Sequence, residues 1–194
     1  MRTLLLRLRR GSFEARPIES FPRVAGRIRD LVPALGLEGI PPATYVLYGS
    51  FVRALFTREA WSDVNLAFTT PAALREHGAA ASGLPCVAVR PRPASVAELL
   101  READFGIGQI ALHAGRLHHH PAALEHTARR VLVYRPRGAV PPEVTLLRSY
   151  KFVRRGYALP EGELVRIIRR ISRRRISFAE PTLAHHSGGV FVAE

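Results

Sequence analysis

Apolar positions in this chain fall into short runs with two different periods. Tyr45-Val46-Leu47-Tyr48 is an unbroken β-branched and aromatic run, the composition of a buried strand. Gly49-Ser50 interrupts it: glycine permits a tight turn and close backbone approach, and Ser50 can cap a helix. Val52, Leu55 and Phe56 then recur at helical spacing, and Val64 to Phe68 returns as a strand opened by Asp63. The rest of the chain is arranged around this strand, turn, helix and strand. Before it, Ser20 to Leu37 reads as a helix with Val24, Ile28, Leu31 and Leu35 on one face, Ser20 as its cap and Pro22 in its first turn. Pro33 limits that helix's regularity, and Gly36 with Gly39-Ile40-Pro41-Pro42 ends it. Residues 1–18 read as one short element with a turn at Gly11-Ser12.

After the central unit, Thr70 caps and Pro71 opens a helix that closes between Gly78 and Gly83. Leu84 to Val89 reads as a strand, Ser95 to Arg101 as a short helix with a further strand after it, and Arg129 to Tyr134 as the last strand. Two helices follow, one over Leu146 to Tyr157 and one over Glu161 to Arg175. The second has Leu164, Ile167, Ile168 and Ile171 as its apolar face. Its other face carries Arg166, Arg169, Arg170, Arg173, Arg174 and Arg175. Like charges at i,i+4 oppose one another by a few tenths of a kcal/mol per pair, so a one-sign face points to an anionic partner. Trp61, in the loop before Asp63, packs over the sheet edge or stacks on a base.

Composition adds a partner class. The chain has 194 residues, 47% of them hydrophobic, enough for one domain and an appendage, with no apolar run that would span a membrane. The net charge is +13, and of the 29 basic residues only Lys151 is not arginine. Arginine binds phosphate in bidentate fashion, which favours nucleic acid; a GC-rich genome would enrich arginine without any function. Cys86 is the single cysteine, so no intrachain disulfide and no cysteine metal site can form; it reads as a buried strand thiol in a reducing, cytoplasmic setting. Met1 to Arg10 is too short and interrupted for a secretory signal and reads as an ordered first strand or helix, with a transit peptide as the alternative. His118, His119 and His120 cannot all ligate one ion, because neighbours in a strand point to opposite faces; they read as a charged turn or an RNA-facing loop.

Gly49, Ser50, Val52 and Arg53, followed at the right spacing by Asp63, resemble the signature of the nucleotidyltransferase superfamily, and most closely the head domain of CCA-adding enzymes and bacterial poly(A) polymerases. Two further segments resemble the same family: Asp104, Phe105 and Ile107, and the helix Leu146-Leu147-Arg148-Ser149-Tyr150-Lys151-Phe152. The resemblance covers about residues 40–160. It implies an α/β (α+β) fold, with a nucleotidyltransferase-type mixed sheet flanked by helices and then a small Arg-rich helical segment. The expected divisions are an N-terminal extension over 1–38, the core over 39–138, neck-like helices over 139–180 and a tail over 181–194. It also implies roles: Asp63 as metal carboxylate, Gly49, Ser50, Arg53 and Asp104 at the nucleotide. The chain reaches only the first neck-like helices, so complete CCA addition is not expected.

The sequence departs from that pattern where the chemistry sits. The second metal carboxylate is Asn65, which keeps an oxygen but removes a charge from a site that needs two acids to hold Mg²⁺. The acid after Arg53 is Ala54, an arginine pair becomes Glu102-Ala103, an asparagine becomes Gly108, and the base-selecting positions are Pro142 and Thr145. The favoured expectation is therefore a nucleotidyltransferase-fold protein that has lost catalysis and binds RNA or acts as a scaffold subunit of a larger complex. Arg148, Lys151, Arg154 and Arg155 join the arginines of the last helix as its nucleic-acid contacts. The alternative is an active transferase in which Asp63 holds Mg²⁺ with Asn65 and with Asp104 or Glu59 assisting. A third reading meets an acidic protein. No cofactor is expected unless the alternative holds.

Overall fold

The computed structural model describes residues 13–61, 63–136 and 140–173. The expectations for Met1 to Arg10, Arg174, Arg175 and the tail lie outside them. The chain forms a six-stranded sheet in the order β1-β6-β5-β2-β3-β4. Its strands are β1 (Glu14–Pro17), β2 (Tyr45–Tyr48), β3 (Val64–Phe68), β4 (Val87–Val89), β5 (Ile110–His113) and β6 (Arg116–His119). Strand β2 lies between β3 and β5, antiparallel to both, and β4 alone runs parallel to its neighbour, giving the mixed sheet. The helices are α1 (Pro22–Ala34), α2 (Ser50–Thr57), α3 (Pro71–Ser82), α4 (Val96–Glu102), α5 (Ala123–Ala128), α6 (Pro142–Arg154) and α7 (Glu161–Arg173).

Side-chain alternation in the strands separates two cores. Tyr45 and Leu47 of β2, with Leu66, Phe68, Ile110, Leu112 and Leu117, pack under α1, α2 and α3. Val46, Ala67 and Ala111 face the other way and take Leu99 and Leu100 of α4. A third core joins the sheet's end to the last two helices: Phe105, Ile107, Leu132 and Tyr134 meet Tyr157 and Ile167. Helix α3 starts as its sequence signals, with the Thr70 hydroxyl accepting from the Ala73 amide and Pro71 at the first position. Helix α4 carries a full capping box between Ser95 and Glu98.

Several expectations change. The N-cap of α1 is Phe21 rather than Ser20, which closes a separate 3-10 turn over Ile18–Ser20. Cys86 is exposed, at φ +63°, because β4 begins only at Val87. Arg129 to Tyr134 forms no strand: Arg130 sits at φ +51°, and only single bridges, Val131 to Ala158 and Phe105 to Tyr134, remain. The histidine run is no exposed turn. Ala114 and Gly115, at φ +47° and +68°, make the two-residue turn of a β5–β6 hairpin, which carries His118 and His119 into a strand. His119 and His120 are buried. Trp61 packs edge-on against Phe51, with ring centroids 5.1 Å apart.

Candidate functional site

The site forms where β2 ends, α2 begins and β3 enters the sheet. Register places Tyr48 opposite Asn65, so the turn at Gly49 faces the first residues of β3. Gly49 adopts φ +80° and ψ −141°, and a Cβ there would stand 3.2 Å from Asn65 Nδ2; both facts require glycine. The Ser50 hydroxyl does not cap α2. It donates to the Asp63 carbonyl at 3.3 Å and pins the loop to the helix start. Asn65 Nδ2 donates to Asp63 Oδ2 at 2.8 Å. The amide thus faces the carboxylate with its donor, where a second carboxylate would need a cation between the two.

That arrangement does not fit the two-carboxylate metal site of the implied chemistry. Among the described residues, no three His, Cys, Asp or Glu side chains converge on a point that could hold a metal. Glu59 and Asp104, the assisting acids of the alternative reading, are engaged elsewhere. Glu59 is nearly buried between Arg53 Nε at 3.5 Å and Arg130 Nη2 at 3.9 Å. Asp104 lies 3.2 Å from Arg148 Nη1 of α6. Burial pushes the Asp104 carboxyl up, against the opposing pull of Arg148 and two backbone amides.

Arg53 is only 3% exposed. Its guanidinium lies 4.8 Å over the Phe152 ring and 5.9 Å from that of Tyr157, so it joins α2 to the end of α6 instead of facing solvent. Desolvation raises the neighbouring Tyr157 hydroxyl to about 12. Ala54 is buried, and with Leu55 its carbonyl accepts from Arg27 of α1. Thr145 is fully buried, with its hydroxyl on the Pro141 carbonyl, and offers nothing to a base. Gly108 ends a 3-10 turn, where a Cβ would approach Ala103 at 3.3 Å.

Sequence reasoning missed a pair beside the corner. Arg90, from the loop after β4, makes a two-pronged contact with Glu102 at 2.5 and 3.0 Å, and this bond holds its guanidinium charged. Burial first, and the Glu102 and Asp63 charges with it, push the Tyr48 hydroxyl up, while Arg90 pulls it back. An acid, Glu102, within reach of the basic loop at Arg90 was the available signal.

The predicted basic contacts divide. Arg148 is half-exposed and paired with Asp104. Lys151, Arg154 and Arg155 are exposed, and Leu147 and Tyr150 stand 70% and 64% exposed on the same helix. Arg166, Arg169, Arg170 and Arg173 share one stripe of α7 and, with Tyr134 and Pro136, line a half-open cleft of about 400 Å³.

No family model matches the chain, and no curated protein does. Solved structures match it well in shape. A Thermotoga maritima CCA-adding enzyme complexed with tRNA superposes with a TM-score of 0.58 at 16% identity, over 81% of this chain and 46% of that one. The fold is that of a nucleotidyltransferase. CCA-adding enzymes in complex with ATP and with CTP give TM-scores of 0.56 and 0.55 at 20% and 16% identity, over 79% and 81% of this chain. The chain spans less than half the length of these enzymes, 46% of the first and 45% of the other two. Within the nucleotidyltransferase fold, the Asp63 corner stands where strand, turn and helix meet, and it holds one acid, Asp63, bonded to one amide, Asn65.

Proposed function

We propose that this protein has given up nucleotidyl transfer and acts as an RNA-binding or scaffold subunit. The observation that carries the reading is the 2.8 Å bond from Asn65 to Asp63, which satisfies the one remaining carboxylate from within the chain. The buried Thr145, the inward Arg53 and the Arg90–Glu102 pair support it, since each withdraws a polar group from a passing nucleotide. The exposed arginines of α6 and α7, and the tRNA carried by one solved structure of the same fold, support RNA as the partner.

Isothermal titration of ATP and CTP, with and without Mg²⁺, on wild type and on Asp63→Ala, tests the loss of catalysis. No Mg²⁺-dependent heat at millimolar nucleotide is the expected result. Mg²⁺-dependent binding that disappears in Asp63→Ala would overturn the proposal. The second reading, an active metal-dependent transferase, draws on the preserved Gly49 turn and the Ser50 contact with the Asp63 loop. That outcome of the titration is what it requires.

A further inference from the structure

The arginines of α7 fall at positions 166, 169, 170 and 173, the i, i+3, i+4, i+7 spacing that places them on one face. That face lies beside Ile167, which is fully buried, so the stripe borders the core and turns toward Tyr134 and Pro136. Glu163 and Glu143 both reach this region. Glu163 accepts from Arg166 at 2.7 Å and from the Tyr134 amide at 2.9 Å, and both bonds use the same oxygen. Glu143 acts on Tyr134 from the start of α6, alongside Arg166 and Arg170. Arg135, half-buried and within electrostatic reach of Arg166, adds a further positive charge that the fold partly desolvates. Four like-charge pairs at i,i+3 and i,i+4 thus stand in one cleft, each opposing the helix by about 0.2–0.5 kcal/mol. A solvated helix face mixes signs and so avoids that strain.

We infer that the cleft between α7 and the Tyr134–Pro136 segment seats consecutive backbone phosphates of a single-stranded polynucleotide, at a site apart from the Asp63 corner. The inference rests on the RNA-binding reading above. Seven residues separate Arg166 from Arg173, a rise of about 10 Å along the helix, which gives several guanidiniums to adjacent phosphates of one strand. A recess of about 400 Å³ walled by one helix and one loop admits a single backbone; a duplex is too wide to enter it. Among the described residues, the lining offers guanidiniums, a proline and a buried tyrosine, and no exposed ring for a base to stack on. Recognition there is therefore of charge and spacing, independent of sequence.

Fluorescence anisotropy with a labelled 12-nucleotide RNA, read across a salt series, tests it on the full chain. The variant is Arg169→Gln with Arg173→Gln. Its charge-matched control is Arg23→Gln with Arg29→Gln, on exposed positions of α1. Loss of two phosphate contacts from a single strand should lower the salt slope by about 1.4. Affinity should fall about tenfold, while the control stays within about twofold of wild type. Equal losses in variant and control would assign the binding to net charge and overturn the site. So would equal affinity for a 12-base-pair duplex, or binding of polyglutamate as tight as that of RNA, which would point to an acidic protein. Absence of RNA binding by wild type would sink the reading beneath the site; RNA binding untouched in the cleft variant would sink the site alone. A thermal melt of each variant shows that a loss of binding is not a loss of fold.

Discussion

Replacing Asn65 with aspartate tests whether the amide has taken over the cation's work at the site. The exchange removes a hydrogen bond to a charged acceptor, a contact worth about 1.5–3 kcal/mol. It also sets a second carboxylate where Nδ2 now sits, 2.8 Å from Asp63 Oδ2. Two unit charges 4 Å apart repel by about 4 kcal/mol at the effective dielectric of a protein surface, and rotation of the side chain and access of water relieve part of it. The turn at Gly49 limits that rotation, since it passes so close to the Asn65 amide that a Cβ there would stand 3.2 Å from Nδ2. A net destabilisation of about 2–3 kcal/mol is expected in EDTA. For a chain of this size, that is a fall in Tm of about 5–10 °C. Mg²⁺ should then stabilise the variant specifically: at a hundred times its Kd a bound ion contributes about 2.7 kcal/mol, which restores most of the loss. Wild type should show no Mg²⁺-dependent shift beyond about 1 °C. Differential scanning fluorimetry in EDTA and in a Mg²⁺ series reads all of this. A variant as stable as wild type in EDTA, or a wild type that gains as much from Mg²⁺ as the variant, would refute the account of the Asn65–Asp63 bond.

Two further outcomes follow from buried charge. His120 is 8% exposed, and its burial first, with Arg135 next, pushes its pKa down from 6.5 to about 4. The unfolded chain binds more protons between those values, so stability is complete above pH 6.5 and is lost as pH falls toward 4. His118 and His126 shift in the same direction. Urea midpoints across this range should fall by the equivalent of about 2–3 kcal/mol from His120 alone, and His120→Gln, which keeps an acceptor for the Ala122 amide, should flatten the slope; an unchanged slope would remove His120 from the account. For Asp104 the sign is opposite: its raised pKa means stability is lost as pH rises through it. Arg148→Ala should move the Asp104 carboxyl titration, followed by carbon NMR, further up and lower neutral-pH stability by about 1–2 kcal/mol, whereas an unmoved titration would show that Arg148 contributes nothing to it.

The legible part of the fold was the part governed by local chemistry. The run from Tyr45 to Phe68 announced strand, turn, helix and strand because glycine, hydrophobic period and β-branched content agree there, and the structure places all four. Thr70-Pro71 and Ser95 with Glu98 marked two helix starts for the same reason. Where tertiary pairing decides, the reading failed. Arg116 to His119 is a strand only because β1 and β5 flank it on either side, and Arg129 to Tyr134 stays irregular because no strand lies beside it. At the site, spacing placed Gly49, Ser50, Asp63 and Asn65 together. It could not show that Arg53 turns inward, since its partners Glu59, Phe152 and Tyr157 converge only through the third core.

That convergence decides where the protein can be cut. A boundary drawn after residue 138, between core and neck, looks natural on the sequence. Severing the chain there would leave Arg53 and Glu59 without the aromatic lid of Phe152 and Tyr157, and would open Phe105, Ile107 and Leu132 to water by removing Ile167. The sheet and the last two helices share the third core, so amide protons of α7 should exchange as slowly as those of β2 in a hydrogen-exchange experiment. A core expressed alone would carry a raw apolar face and aggregate.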